Sequence, residues 1–470
     1  MKTCDLSMKL AFGLRPGWPR CDSPVRGTNR ERGTVLIIVL WIAFGLVTIS
    51  LYFGHSMLFE FRAADNNAAA VEADQAIEGA VRYASYVLTN SQLMGQMPET
   101  NSYHPAAVPV GEANFWFIGR DLVENTRDVP YFGLVDEASK LNLNTATAAM
   151  LESLPRMTPE LAAAIIDWRD SDDNVTSGGA ESDYYLRRNP PYRCKNAPFE
   201  TIEELQLVMG ATPEILYGED INRNGILDPN ENDGEVSPPF DNRNGRLDPG
   251  ILEYVTVYSS EPSTTTNGTP RLNVGNLNAN QVSSVFQTAG LSADRIAAIR
   301  TALGFRGGAA TTRSFGSVLE LYVASSMTED EFAQVEGNFI GSRTNGLINI
   351  NTASEAVLAC IPGLTNVASS IVAYRSANAG NLTSVAWLVA AVNQDLATIR
   401  AAGPWITTHS YQFTADIAAV GHYGRGYRRT LFVIDTSQTA PRILYRRDMA
   451  RLGWALGNLR QTWSLAKVTR

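Results

Sequence analysis

Uncharged, mostly apolar residues run without a break from Thr34 to Gly54, directly behind a basic segment. At a rise of about 1.5 Å per residue, a helix of this length spans roughly 31 Å, which matches the hydrocarbon core of a bilayer. Apolar residues then recur at spacings of three and four up to Leu88, with charged residues between them. The pattern predicts one helix over residues 34–88, about 80 Å long, whose first part crosses a membrane and whose second part packs on a folded domain.

Short runs of β-branched and aromatic residues follow the predicted helix, and helical patterns fill the intervals between them. The runs predict strands within 114–119, 131–144, 251–260, 411–420, 426–435 and 442–448. The fold class is therefore α+β: a long N-terminal helix packed on a small antiparallel sheet, with a large helical region inserted between the early and the late strands.

The inserted helical region contains internal repeats. Segments 141–169, 272–300 and 348–375 share an Asn-rich start, a first helix, and a second helix that ends at an arginine. Each segment is typical of a helix-hairpin-helix. In the first and third copies, Thr158 and Thr365 are the expected N-caps of the second helix.

A further helix start follows each copy. In the first two copies it is a Ser/Thr-x-x-Glu capping box, formed by Thr201 with Glu204 and by Ser317 with Glu320. In the third copy Trp387 replaces the glutamate. These residues are expected to start helices rather than to take part in chemistry.

Charge is distributed unevenly along the chain. The whole chain carries −9 and residues 1–33 carry +4, which leaves −13 for the remainder. Basic residues in front of an apolar helix stay cytoplasmic, so we expect the remainder on the other side of the membrane. An acidic body disfavours broad nucleic-acid binding, which requires clustered Lys and Arg, and is compatible with cation binding.

Four cysteines occur, and two of them, Cys4 and Cys21, lie in the basic segment. The other two, Cys194 and Cys360, would form one disulfide in an oxidising compartment or remain two unpaired thiols. The sequence leaves both alternatives open.

The segment DINRNGILDPNE, residues 220–231, has the spacing of an EF-hand calcium loop. Hard oxygen ligands at this spacing wrap a cation of the size of Ca²⁺, and Gly225 makes the sharp turn. The ligand positions are filled by Asp220, Asn222, Asn224, the carbonyl of Ile226, Asp228 and Glu231. The sequence predicts a structural Ca²⁺ site here, the alternative being an Asn/Gly/Asp-rich turn without metal.

An incomplete copy, FDNRNGRLDPGI, follows at residues 240–251, where Phe240 and Ile251 replace the two outer ligands. The candidate ligands that remain are Asp241, Asn242, Asn244, the carbonyl of Arg246 and Asp248. Tandem loops can share acidic residues, here Asp233 and Glu235, so we expect one or two Ca²⁺ ions with a structural role.

The junction Arg32-Gly33, followed directly by the apolar run, resembles the processing site of type IV prepilins and type II secretion pseudopilins. The resemblance implies cleavage after Gly33 by a prepilin peptidase on the cytoplasmic face, with Thr34 as the mature N-terminus. The alternative is a plain signal-anchor helix, for which the residues at this junction would be arbitrary.

Most pilins carry glutamate at the fifth mature position, where this chain has Ile38. A carboxylate inside the bilayer is costly and needs a partner, which in pilins is thought to be the N-terminal ammonium group of a neighbouring subunit. Lack of this glutamate resembles the K-type minor pseudopilins, the general secretion pathway protein K family, and fits a subunit at the filament tip. A neutral substitution is the alternative. The helical repeats resemble the SAM-like lobes that are inserted in the pilin fold of this family.

The resemblance implies an order of segments along the chain. They are a cytoplasmic leader, 1–33; a transmembrane half-helix, 34–54; the pilin-like helix and first strands, 55–140; SAM-like helical repeats, 141–400, with calcium loops at 220–250 and a pilin strand near 251–260; and C-terminal strands with a tail, 401–470.

The function implied is that of a minor pseudopilin at the tip of the type II secretion pseudopilus, which starts assembly and takes part in protein export across the outer membrane. The implied partners are the I-, J- and H-type minor pseudopilins, through them the major pseudopilin, and the prepilin peptidase. The implied location is the bacterial inner membrane, with the body in the periplasm and no nucleic acid bound.

Two other function classes fit the sequence less well. A membrane-anchored helix-hairpin-helix protein for DNA uptake is the alternative, but its hairpins would need Gly-hydrophobic-Gly, and the third copy keeps only Gly363 while the first has no glycine. The sequence has no HExxH, GxSxG or phosphate-loop motif, so we expect no enzymatic activity.

Overall fold

The computed structural model of the chain describes residues 32–90, 95–120, 130–305, 312–438 and 440–459. Residues 1–31 of the predicted leader therefore lie outside the described residues. The α-helices, in chain order, are α1 (Arg32–Asn90), α2 (Ala148–Glu152), α3 (Pro159–Arg169), α4 (Ser182–Tyr185), α5 (Pro213–Leu216), α6 (Ala279–Thr288), α7 (Ala293–Ala302), α8 (Val318–Ser325), α9 (Glu329–Val335), α10 (Glu355–Ala359), α11 (Ala368–Ala377), α12 (Trp387–Ala391) and α13 (Leu396–Ala402).

The strands are short except for those near the end of the chain. They are β1 (Val108–Val110), β2 (Ala113–Phe117), β3 (Val135–Asp136), β4 (Leu141–Asn142), β5 (Val255–Thr256), β6 (Leu272–Asn273), β7 (Leu277–Asn278), β8 (Thr312–Arg313), β9 (Phe339–Ile340), β10 (Ile348–Asn349), β11 (Ile406–Thr407), β12 (Gln412–Val420), β13 (Arg428–Asp435) and β14 (Arg442–Asp448).

The chain divides into two compact units, one up to Ala64 and one from Asp65 onward, and α1 contributes residues to both. In the first unit every large apolar side chain from Val35 to Phe53 is more than half exposed. This part of α1 is long and apolar enough to cross a membrane. A contiguous apolar surface of this size needs a cover, and lipid is a suitable one.

In the second unit α1 packs on one face of an antiparallel sheet. The described strands of this sheet run in the order β1-β2-β12-β13-β14, and β3 pairs with one end of β12. Alternate residues of β12 and β2 point to opposite faces, so Phe115 and Ile417 join the core under α1 while Trp116 and Ala418 join the opposite face. Alanines line the buried side of α1 and let it lie close to the strands: Ala69, Ala73, Ala76, Ala80 and Ala84.

The helical region is built from the three predicted helix pairs, which are α2 with α3, α6 with α7 and α10 with α11. In the first and third copies the arginine at the end of the second helix binds carbonyl oxygens at the start of the copy. Arg375 donates to Ile350 O at 3.0 Å and to Ala353 O at 2.8 Å, and Arg169 donates to Leu143 O and Ala146 O. The shared arginine therefore closes each copy on itself.

The predicted helix starts are mostly present. Thr201 and Glu204 form the capping box before the helical turn Ile202–Leu207, and Thr158 caps α3. Thr365 does not cap α11, because that helix begins later, at Ala368, and the Thr365 hydroxyl donates to Ala359 O instead. The N-cap interpretation of Thr365 was wrong.

One strand assignment also needs correction. The strand expected near 251–260 forms as β5, but it pairs in parallel with β4 rather than with the antiparallel sheet under α1. The third copy has an equivalent parallel pair, β10 with β11. The segment thus closes the first helical copy and is not a strand of the pilin-like sheet. Cys194 and Cys360 are both buried and unpaired, so the disulfide alternative does not hold in this structure.

The helical region docks on the sheet face opposite α1, largely through polar contacts. Glu137 lies just after β3 and accepts hydrogen bonds from the Thr414 hydroxyl of β12 at 2.7 Å and from the Thr256 hydroxyl of β5. Arg447 of β14 pairs with Glu203 in the helical turn that follows the first copy. Burial raises the pKa of the neighbouring Asp136 to about 6, although Ser410, Thr352 and Asn349 all donate to it.

Candidate metal centre

The first predicted calcium loop, residues 220–231, is folded by its own polar side chains. Both carboxylate oxygens of Asp220 accept backbone N–H groups, from Asn224 at 2.9 Å and from Gly225 at 3.0 Å. Asn222 Oδ1 accepts from the backbone of Asn224 at 3.0 Å. Gly225 has a φ of +69°, a conformation that favours glycine. The residues predicted to bind Ca²⁺ therefore already set the path of the backbone.

These side chains also converge on one another. The amide groups of Asn222 and Asn224 donate to the same oxygen of Asp228, at 2.7 Å and 3.0 Å. The backbone N–H of Asp228 donates to Glu231 Oε2 at 3.0 Å, and Glu231 is only 2% exposed. Burial, reinforced by the charges of Asp220 and Asp228, raises the pKa of Glu231 to about 8. Carboxylates gathered away from water in this way are the donor set that a hard cation requires.

The second loop, residues 240–251, reproduces the inner hydrogen bonds of the first. The amide groups of Asn242 and Asn244 both donate to Asp248 Oδ2 at 3.0 Å. The backbone N–H of Asn244 donates to Asn242 Oδ1 at 2.9 Å. Gly245 has a φ of +71°, close to that of its counterpart in the first loop. The sequence repeat is thus a repeat in geometry as well.

The two outer positions of the second loop are taken over by residues that flank the first loop. Glu219 Oε2 accepts from Asp248 N at 3.0 Å, as Glu231 does from Asp228 N in the first loop. Asn232 Oδ1 accepts from Gly245 N at 3.3 Å, the role that Asp220 has toward Gly225. The two loops therefore interlock, with Glu219 and Asn232 supplying what the second loop lacks.

Sequence reasoning missed Glu219 and Asn232. Asp241, which it named, accepts backbone N–H groups from Asp233 at 2.8 Å and Gly234 at 2.7 Å through one oxygen, and from Arg243 of its own loop at 2.7 Å through the other. It therefore joins the turn between the loops to the start of the second loop. The clue in the sequence is Glu219, the acidic residue directly before the first loop, because tandem loops bring the residues that flank them close together.

Two arginines, one of them fully buried, hold the first loop against the sheet. Arg429 of β13 is fully buried, forms a bidentate pair with Asp416 at 2.9 Å and 2.6 Å, and donates to Asn222 O and Arg223 O, each at 2.6 Å. Arg120 also donates to Arg223 O, at 2.8 Å, and pairs with Glu253. The loop backbone is therefore bonded directly to guanidinium groups of the sheet region.

Comparisons with known proteins bear on the family of the chain. Residues 134–217 match the first domain of the family described as "Type II secretion system (T2SS), protein K". A curated type II secretion system protein K from Klebsiella pneumoniae is 37% identical over 60 residues, which are 13% of this chain and 18% of that protein. The match thus spans less than a fifth of the Klebsiella protein.

A solved structure is also similar to this chain. It is the crystal structure of the GspK–GspI–GspJ complex from the enterotoxigenic Escherichia coli type 2 secretion system, with 12% identity and a TM-score of 0.41, over 83% of this chain and 98% of that chain. The family resemblance drawn from the sequence is confirmed by the matching segment 134–217. The comparisons give no support to the DNA-binding alternative.

Proposed function

We propose that this chain, a member of the type II secretion protein K family, is a minor pseudopilin that starts assembly of the pseudopilus and occupies its tip. The observation that carries the proposal is the combination of the family match over 134–217 with a single helix, α1, that is apolar and exposed in its first half and packed on an antiparallel sheet in its second. Such a helix can anchor a subunit in a membrane and in a filament at once. No catalytic role is proposed.

The body is proposed to lie in the periplasm, with the leader cleaved between Gly33 and Thr34. The support is the basic leader of net charge +4 in front of the apolar half of α1. The proposed partners are the I-, J- and H-type minor pseudopilins, and through them the major pseudopilin. The position at the tip is supported by Ile38, which leaves no intramembrane carboxylate for a subunit above, and by the width that the SAM-like helical region adds to the body.

Two experiments test the secretory role. The protein made in a host with prepilin peptidase should begin at Thr34, whereas Gly33→Leu should keep its leader because the peptidase must accommodate an extended backbone at that residue. An intact N-terminus in the unaltered protein would favour a plain signal-anchor. Purified I- and J-type partners should co-elute with this chain as one complex, and elution of all three as separate species would refute the proposed assembly.

We also propose that the interlocked loops 220–231 and 240–251 bind Ca²⁺, with one ion in the first loop and a second held by Asp248 with help from Glu219. The support is the donor set described above: buried carboxylates, amide oxygens and a loop with few apolar residues. A cation there would offset the repulsion between Asp220, Asp228 and Glu231 and would fix a segment that apolar burial cannot hold.

The calcium proposal is tested by melting the purified protein with Ca²⁺ and with chelator. At a free concentration 100 times the dissociation constant, one site adds about 2.7 kcal/mol to the free energy of unfolding. Glu231→Gln should remove most of the calcium-dependent shift, while Glu152→Gln, at an exposed position at the end of α2, should leave it unchanged. Equal melting of the unaltered protein in the two buffers would exclude the metal.

A further inference from the structure

A second group of acidic side chains lies at the end of α3, in a part of the chain that precedes the two loops. One carboxylate oxygen from each of Asp167, Asp170 and Glu181 lies within 4.8 Å of the other two. Asp167 is on the last turn of α3, Asp170 is its C-cap, and Glu181 precedes α4 after the connecting loop. The cluster therefore lies where the 12-residue loop between α3 and α4 folds back onto the end of α3.

Among the described residues Glu181 has no ion-pair partner, and the Cys194 thiol is a polar group close to it. Glu181 is 2% exposed, and neither of its carboxylate oxygens has a hydrogen-bond partner. Asp167 is completely buried, and its oxygens accept only the backbone N–H of Thr176, at 3.1 Å and 3.2 Å. The guanidinium of the neighbouring Arg169 is directed at carbonyl oxygens of the Asn-rich start and not at these acids. A buried carboxylate without a strong donor is costly unless it keeps a proton or binds a cation.

The connecting loop is shaped to lie on the cluster. A Cβ atom at Gly179 would collide with Asp167 Oδ2, so the close approach of the loop depends on glycine at this position. Asn196 reaches the same loop, donating from its amide to Asp172 O at 2.6 Å, and its Oδ1 is buried without a partner. The Asn196 amide oxygen is therefore available as a neutral hard donor at this loop.

We propose that Asp167, Asp170 and Glu181, with Asn196 Oδ1 as an additional donor, bind a divalent cation of the Ca²⁺ class. All the donors are oxygens, which suits a hard cation. The proposal does not depend on the secretory role or on the loops 220–251.

The proposed ion has a structural consequence. It would tie the loop between α3 and α4 to the end of α3, next to the aromatic cluster in which Trp168 packs edge-on against Tyr185 at 5.2 Å between ring centroids. Tyr185 in turn lies 5.3 Å from Tyr192. Binding should therefore change the fluorescence of the protein through Trp168 as well as its stability.

The test counts Ca²⁺ bound to the purified full chain in detergent by calorimetric titration after stripping with chelator. Glu181→Gln keeps the size of the side chain and should lower the number of bound ions by one, while Asp183→Asn, an exposed neighbour, should leave it unchanged. Glu231→Gln should remove a different ion, and the double variant should lose both. Unchanged stoichiometry and affinity in Glu181→Gln would overturn this site whatever Glu231→Gln does.

Asp170→Asn provides the second variant, because Asp170 is half-buried and makes few contacts in the fold. It should weaken the same binding event at least about 10-fold, with the circular dichroism of the unaltered protein. If Glu181→Gln fails to fold, Asp170→Asn takes its place as the test. Unchanged Ca²⁺ affinity of Asp170→Asn in the titration would then overturn the proposal. Loss of the calcium-dependent Trp168 signal in Asp170→Asn, but not in Glu231→Gln, would assign the ion to this cluster.

Discussion

Arg429 links the sheet to the first calcium loop, and its replacement by methionine is the most informative single perturbation. Arg429 and Asp416 are 0% and 4% exposed at their side chains. The same guanidinium supplies donors to the carbonyl oxygens of Asn222 and Arg223. Arg429→Met therefore leaves one buried charge unpaired and withdraws charged donors from two loop carbonyls.

The magnitude follows from these contacts. Breaking a buried ion pair by removing one partner costs about 3–5 kcal/mol, and carbonyls that lose a charged donor add about 1 kcal/mol or more unless water replaces it. We expect Arg429→Met to lower the free energy of unfolding by about 4–6 kcal/mol. The adjacent Arg428 is a matched control on the same strand, because its pair with Asp74 is about half exposed and should be worth only about 0–1 kcal/mol.

Guanidinium unfolding of the full chain in detergent, followed by near-ultraviolet circular dichroism, measures both variants. The double variant Arg429→Met/Asp416→Leu should regain most of the stability, since apolar replacements of a buried pair are often neutral. It should not regain the calcium-dependent increase in melting temperature, because the loop carbonyls still lack their donors. A loss in Arg429→Met no larger than that in Arg428→Met would refute the reasoning.

Two further predictions concern other parts of the fold. Gly426 has a φ of +65°, and a Cβ atom there would collide with the backbone of Ala69 in α1, so Gly426→Ala should lower the free energy of unfolding by about 3–5 kcal/mol. Gly424 has a φ of +73° and open space around it, so Gly424→Ala should lower it by only about 1 kcal/mol. Equal losses for the two variants in thermal melts would show that the close approach to Ala69 is not the cause. Burial raises the pKa of Glu336 from 4.5 to about 8, so the folded protein keeps a proton that the unfolded chain loses, and stability should fall as the pH rises from about 4.5 to about 8. Glu336→Gln should flatten that fall by about 1–4 kcal/mol, and an unchanged pH profile would contradict the assignment.

Local periodicity was enough to predict most of the elements. The helix predicted over 34–88 is α1, Arg32–Asn90, and the late strand patterns correspond to β12, β13 and β14. Apolar spacing and cap residues report on structure within a few residues of themselves, which is the range of helix and strand geometry. The three helix pairs were predictable for the same reason, and the first and third copies also close on themselves through their own arginines.

Pairing across long distances was not predictable in the same way. The pattern of β5 is that of a strand, but only the fold determines that it pairs with β4, more than 100 residues earlier in the chain. Glu219 lies 29 residues before Asp248, outside any calcium-loop pattern that is read along the chain. The cluster at the end of α3 likewise depends on a loop that folds back. The spacing Asp167-x-x-Asp170 places two carboxylates on one side of a helix end, and the third ligand has no fixed spacing.

The polar docking of the helical region explains why cation sites matter in this fold. Its contacts with the sheet region include the loop carbonyls of Asn222 and Arg223 with Arg429, Thr256 with Glu137, and Glu203 with Arg447. Buried ion pairs return little more than their desolvation costs, so these contacts orient the helical region more than they stabilise it. The loop to which Arg429 is hydrogen-bonded has few apolar residues. A bound cation would make it rigid, as a hydrophobic core does in other parts of the fold. We therefore expect removal of Ca²⁺ to loosen the helical region from the sheet before the sheet under α1 unfolds, because the core between them contains no residue of either loop.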